Sequence, residues 1–351
     1  MKLSEITEVK SAEVRVIGIG GAGCSTLNRL AESVSGRIRM LGIDTGSAIQ
    51  GLYENIEVMS LGSGFGSGGS PEVAADQFLE VSDDVNNFIN GADVVILLAG
   101  LGRGTGSGLS PKIAELARRL GVLTIAAVSM PFEFEGSFRD QFAIRAHDEL
   151  KGFVNAIITM SNNDLAKLNT AGTSVNGAFQ VADKNIADAV HVITTALESS
   201  PERFTSLKQT LSAAGETVVL SGQASDLHGG RTAVANAFDS TVKNIGGTDS
   251  IVIHVEGGIG LSLGQVAEAV TTVRERIGRN VVIHVTSQRL IGMGQDIKVT
   301  MILGGVVSGM EMSARITPIV HFHDLNRIPS ASIFDSPTPR RTRGPILLPT
   351  G

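Results

Sequence analysis

The pattern of this chain predicts an α/β protein with three parts: a parallel, doubly wound domain, a long connector helix and a smaller C-terminal α/β domain. Three observations carry the prediction. Short apolar runs alternate with helical patterns through the first half of the sequence. Glycine clusters stand where apolar runs end, around 18–23, 64–71 and 100–108. A long helical pattern from Phe179 to Leu197 then leads into a second series of strands and helices.

Composition narrows the class. A chain of 351 residues can bury a large core and is long enough for two domains. Its 42 glycines sit in turns between apolar runs, so they punctuate a fold and do not form a low-complexity tract. A formal net charge of −6 argues against general nucleic-acid binding, which needs basic surfaces. Cys24 is the single cysteine, so no intramolecular disulfide is available, which fits a reducing cytoplasm. The first residues mix charges without an apolar core, so no signal peptide is expected. No apolar run approaches the roughly 20 residues that cross a bilayer. The expectation is a cytoplasmic protein without a membrane span.

In order, residues 14–23 read as a buried strand running into a glycine loop, and 25–32 as a helix with Leu27 and Leu30 on one face. Residues 39–45 form a strand that ends in polar side chains. After the cluster at 64–71, Glu72 opens a helical pattern. The unbroken apolar run 94–99 empties into 100–108, followed by Pro111 and a helix over 113–120. Strands at 123–128 and 156–160 flank a charged helix at 139–150. In a parallel sheet of this kind ligands sit beyond the carboxyl ends of the strands, where every glycine cluster lies. Strands at 217–220, 251–255, 281–285 and 297–302, with helices at 232–242 and 263–277, build the smaller domain. Beyond about residue 320 the chain is rich in proline and arginine, the composition of an exposed tail. The domain boundaries expected are 1–178, 179–198 for the connector helix, 199–317, and 318–351 for the tail.

The loop at 100–108 has the makings of a phosphate cradle. Glycines let backbone N–H groups turn inward, Thr105 and Ser107 add hydroxyls, and the following helix N-terminus favours an anion. Taken alone, Gly18-x-Gly20-x-x-Gly23 is a dinucleotide fingerprint, with Asp44 placed like a ribose-binding acid. That keeps a Rossmann-type oxidoreductase as a rival reading. A dinucleotide fold needs only the first loop, however, and no hydride-transfer constellation accompanies it. Three loops at successive strand ends suit the phosphate chain of one nucleotide.

Several motifs in order resemble the tubulin/FtsZ superfamily, closest to its FtsZ branch, over roughly residues 14–307. The signature GGGTG[ST]G is matched by 102–108, with Arg103 in place of the middle glycine. The first loop is Gly20-Gly21-Ala22-Gly23-Cys24, in a cysteine-containing form like that of archaeal members and tubulins. The third loop resembles 64–71, and PF-x-FEG-x-x-R is present as Pro131, Phe132, Phe134, Glu135, Gly136 and Arg139. The resemblance implies a tubulin-like GTPase fold binding GTP or GDP, with Mg2+ as a candidate companion ion. Gly20, Gly21, Ala22, Gly23, Cys24, Gly68, Gly69, Gly102, Arg103, Gly104, Thr105 and Gly106 would surround the phosphates. Asp44, Pro131, Glu135 and Arg139 would lie on the ribose and phosphate side, Glu135 accepting from ribose hydroxyls. Asn163, Phe179 and Asp183 would meet the base, with Asp183 selecting guanine through its N1–H and amino group.

The departures matter as much. In the family an acidic loop after the connector helix enters the next subunit's site and polarises the attacking water. Here those carboxylate positions fall on Arg203 and Ser206 in a shorter loop, with Glu198 and Glu202 as the available substitutes. Phosphoryl transfer depends on positioning and charge placement, so hydrolysis is expected to be slow or absent. Arg103 either adds a positive charge beside the phosphates or points outward from the loop. The resemblance implies nucleotide-dependent, head-to-tail filaments of the chain itself, in cell division or a related process. A non-polymerising GTP-binding regulator, or a partner co-assembling with an active FtsZ relative, is the alternative. The basic-then-apolar tail, 340–349, is a candidate adaptor-docking peptide. His254 and His284 take matching places in two strands, a structural pattern. His321 and His323 share one side of an extended segment without accompanying acids or cysteines, so no metal site is expected.

Overall fold

The computed structural model describes residues 12–34, 38–163, 174–199, 215–239, 245, 247–278 and 280–305. Its strands are β1 (Val14–Ile19), β2 (Arg39–Asp44), β3 (Glu57–Ser60), β4 (Val94–Gly100), β5 (Leu123–Met130), β6 (Ala156–Ser161), β7 (Gly215–Ala224), β8 (Ser250–Gly257), β9 (Val282–Arg289) and β10 (Ile297–Gly304). Its helices are α1 (Gly20–Ala31), α2 (Pro71–Gln77), α3 (Ser82–Ile89), α4 (Gly104–Arg119), α5 (Ser137–Lys151), α6 (Val175–Ser199), α7 (Gly229–Asp239) and α8 (Leu263–Ile277). Short 3-10 turns link several of them.

The strands join in one sheet of order β3-β2-β1-β4-β5-β6-β7-β10-β8-β9. From β3 to β7 every pairing is parallel. Beyond β7 the direction reverses: β10 runs antiparallel to both β7 and β8, and β9 is parallel to β8. Parallel strands need covered faces, and β4 shows it, with Val94 to Ala99 buried whichever way the side chains point. One face of the sheet packs Leu27 and Leu30 of α1 and Ile186, Val190, Ile193 and Leu197 of α6. The opposite face packs Ile113 and Ala117 of α4 with Ala146 and Leu150 of α5. A further core, from β7, β8 and β10 against α7 and α8, contains Val234, Phe238, Ile253, Val273 and Met301. Val252 and Ile302 turn the other way and join the core that holds α6.

The two glycine-led helices start earlier than the sequence suggests. The helix expected at 25–32 begins at Gly20, and the one expected at 113–120 begins at Gly104. Glycine is a poor helix former, so these residues read as loop. They are glycine because a side chain does not fit: a Cβ on Gly23 would lie 2.2 Å from Leu98 O, and one on Gly106 would lie 2.1 Å from Gly100 O. The helix expected at 232–242 likewise runs Gly229–Asp239, since a Cβ on Gly230 would stand 1.9 Å from Gln265 O of α8. Neither β3 nor α3 carries a strong pattern in the sequence. Strand β3 has four residues and an exposed face, while α3 shows only Val85, Phe88 and Ile89 as its buried stripe.

Candidate nucleotide site

Strand order places β1 and β4 side by side, with the chain departing toward β2 from one and toward β5 from the other. This is a topological switch point, where a crevice opens beyond the strand ends. β1 runs directly into α1 there, and β4 reaches α4 across only Leu101, Gly102 and Arg103. The N-caps of α1 and α4, Ile19 and Arg103, make no side-chain capping bond, and neither first turn contains an acid. The leading N–H groups of both helices therefore keep their donors for an anion, reinforced by two helix dipoles.

The two N-termini touch. Gly20 adopts a left-handed φ of +71°, and a Cβ there would meet Thr105 Cβ at 3.2 Å and Gly106 N at 3.3 Å. The third glycine loop folds against the same point, since a Cβ on Gly104 would fall 1.8 Å from Ser67 Oγ. Gly102 N donates to Ser107 Oγ at 2.8 Å, which turns the strand end into the helix. By contrast, a Cβ on Gly68 or Gly69 would meet nothing within 4 Å, and one on Gly21 only Ala48 Cβ at 3.9 Å. These glycines border open space, as the wall of a ligand site does. Thr45, just past β2, hydrogen-bonds Thr105 through the two hydroxyls at 2.7 Å. Asp44 Oδ2 accepts from Ala48 N at 3.2 Å, and Gly66 N donates to Thr45 O at 2.8 Å, so the end of β2 is braced to the same cluster.

Other expected residues are placed differently from the phosphate-facing glycines. Gly23 packs on β4, and Ala22 lies against Gly100. Cys24 is buried, its thiol donating to Gly18 O at 3.7 Å, so only its backbone is available to a ligand. Burial, and then the charge of Asp44, push that thiol up to about 12.

The charged side of the crevice is a three-residue cluster. Glu135 is almost covered, and its carboxylate pairs with Arg139 and, at 3.7 Å, with Arg103. Its other oxygen accepts from Phe132 N at 3.0 Å. Arg103 is 66% exposed, so it reaches from the loop toward Glu135 with its guanidinium in solvent. Pro131 stands against Gly102. Glu133 N donates to Asn163 Oδ1 at 2.9 Å, which leaves the Asn163 amide group to face elsewhere.

At the head of α6, Phe179 meets Phe132 edge-on at 5.2 Å, and Phe132 stacks on Phe134 at 4.8 Å. Asp183 accepts from Ser25 Oγ at 2.6 Å and Thr26 Oγ1 at 3.2 Å, tying α6 to α1. Burial raises the Asp183 carboxyl above its usual value, only partly offset by those two hydroxyls and by Arg29. A half-buried carboxylate with lone pairs to spare suits a ligand carrying paired N–H donors. Thr45, Ser67, Ser25 and Thr26 were not singled out from sequence. Ser67 lies inside a glycine cluster, which was the available signal; Ser25 and Thr26 gain their part only from the position of α6. Glu202, Arg203 and Ser206 lie outside the described residues, as does the Glu198 side chain. His321, His323 and the tail lie outside them too.

Residues 13–170 match the model described as Tubulin/FtsZ family, GTPase domain. Over 317 residues the chain is 28% identical to the cell division protein FtsZ of Pseudomonas aeruginosa, covering 88% of this chain and 80% of that one. An FtsZ dimer structure from M. jannaschii superposes with a TM-score of 0.79 at 25% identity, over 85% of this chain and 89% of that one. CetZ1 from Haloferax volcanii, at 19% identity, shares the fold with a TM-score of 0.70, over 84% of this chain and 94% of that one.

Proposed function

We propose that this chain, whose residues 13–170 match the Tubulin/FtsZ GTPase-domain model, binds GTP and uses it to govern head-to-tail assembly with copies of itself, in cell division or a related cytoskeletal task. The observation that carries this reading is the pair of touching helix N-termini, both without side-chain caps, beneath a third glycine loop. A chain of phosphates offers acceptors to both ends at once. Asp183 and Phe179 supply the base side: an acidic acceptor prefers guanine, because adenine has no N1–H to give. Glu135 is the proposed acceptor for ribose hydroxyls, and the two arginines that pair with it, Arg139 and Arg103, add positive charge near the phosphates. The relative from P. aeruginosa is a cell division protein, and the similar M. jannaschii structure is of a dimer, which supports self-association.

Hydrolysis is the weaker half of the proposed activity. Arg203 and Ser206 stand where the family places carboxylates, and a water left without them attacks slowly. GTP then serves more as an assembly signal than as fuel. Nucleotide extracted from the purified protein, sedimentation with GTP, GDP or neither, and phosphate release in parallel test the whole reading. Guanine nucleotide in the protein, pelleting with GTP and phosphate release far below pelleting turnover are expected. Bound NAD or flavin in place of guanine nucleotide overturns the reading; GTP binding without pelleting favours the regulator instead.

A further inference from the structure

A second polar cluster lies away from the nucleotide crevice, where α6 crosses the strands of the C-terminal part of the sheet. His191 of α6 faces His254 and Glu256 of β8, and the rings of the two histidines approach edge-on at 6.3 Å. His191 Nε2 and His254 Nε2 each stand 3.9 Å from the same carboxylate oxygen, Glu256 Oε1. Those separations are too long for hydrogen bonds. His254 is fully buried and its Nε2 has no hydrogen-bond partner, although it points at a buried carboxylate. A buried polar atom left unbonded in this way is costly and calls for an occupant.

The tautomer needed for metal binding is set by the neighbours. Thr286, the register partner of His254, donates its hydroxyl proton to Ile253 O at 3.3 Å. Its oxygen is then the acceptor for His254 Nδ1–H at 2.8 Å, which leaves the Nε2 lone pair facing the cluster. Lys298 lies 3.5 Å from the other oxygen of Glu256 and 2.9 Å from Asp188, and so orients the carboxylate from behind.

We propose that His191, His254 and Glu256 form a site for a divalent transition metal of the zinc class, clasping α6 to β8. The three donor atoms lie within 4.8 Å of one another. Donors about 2.0–2.1 Å from one tetrahedral zinc stand roughly 3.3 Å apart, so the two 3.9 Å separations must close by about 0.6 Å and the widest, at most 4.8 Å, by about 1.5 Å. Two imidazoles and one carboxylate are a zinc-type set, with water in the fourth position. His191 is partly exposed, which gives the ion a way in from the helix side. The sequence could not reveal this site, because its ligands come from two elements far apart in the chain.

The test uses the full-length protein stripped with EDTA and then given ZnCl2, with Tm and metal retained after desalting as readouts. One equivalent of zinc and a rise in Tm are expected, and Co2+ in its place should give the visible bands of a four-coordinate ion. His191→Ala should weaken zinc at least about tenfold, with a circular dichroism spectrum like the wild type. His254→Gln provides a second arm, but the buried position can compromise folding, so His191→Ala decides alone. The exposed His228–Glu268 pair and His321 and His323 survive that substitution. Zinc held equally by wild type and His191→Ala, or a wild type whose Tm ignores zinc, overturns the proposal.

Discussion

Gly106→Ala is the most direct probe of the crevice. The new Cβ would lie 2.1 Å from Gly100 O, against the 3.0 Å below which real Cβ contacts essentially do not occur. Neither partner is a flexible side-chain end, so the start of α4 has to withdraw from the end of β4 by about 1 Å, an overpacking cost of about 1–3 kcal/mol. The larger effect falls on the ligand. A backbone hydrogen bond to a charged phosphate contributes about 1.5–3 kcal/mol, and a 1 Å retreat spoils at least two of them. A loss of about 3 kcal/mol is roughly 100-fold in Kd. Titration with a fluorescent GTP analogue, alongside thermal melting, reads both effects. Gly51→Ala is the control: its Cβ meets nothing within 4 Å and its backbone is not left-handed. A folded Gly106→Ala protein that binds GTP within threefold of wild type would refute the reasoning.

Three further outcomes follow from the same geometry. Arg103 is mostly exposed and pairs with Glu135 at 3.7 Å, so Arg103→Gly should cost no more than about 1 kcal/mol in urea unfolding; a loss above about 2 kcal/mol would mean the pair is structural. Cys24, held up to about 12 by burial, should resist iodoacetamide at pH 8 in the native protein and take one label once unfolded; native labelling at the unfolded rate contradicts its burial. Asp183 has a raised carboxyl in the folded state, so its ionised form costs stability at neutral pH, a cost relieved as pH falls through the folded value. The proposed guanine contact needs that ionised form, so GTP affinity should drop on acidification above the usual Asp range, and Asp183→Asn should abolish this step. The same pH profile in both proteins would remove Asp183 from base recognition.

Much of the fold could be read because the signals were local. Val94 to Ala99 is apolar throughout and ends in glycines, and only a strand covered on both faces explains that run. The glycine clusters pointed to the crevice for the same reason. Helix starts were misplaced where glycine serves packing: Gly23, Gly106 and Gly230 look like breakers, yet each lies in a helix pressed against another backbone. The reversal at β10 also escaped, since strand direction depends on partners far along the chain. At the site, the family resemblance singles out Asp183 together with Phe179, whereas nothing in the sequence marks Ser25 and Thr26, whose hydroxyls meet Asp183 in the structure. Arg103 is ambiguous in sequence, since its pairing with Glu135 joins two loops far apart along the chain.

Helix α6 carries Asp183 toward α1, and Asp188 and His191 toward β10 and β8. A helix rises about 1.5 Å per residue and resists stretching, so roughly 12 Å separates Asp183 from His191 along its axis. The two ends cannot slip independently; they share one axial register, as graduations on a ruler do. Where metal and nucleotide each prefer a particular setting of that ruler, each alters the affinity of the other by the same factor. Zinc added to the stripped protein then becomes a vernier for the Asp183 end of the helix.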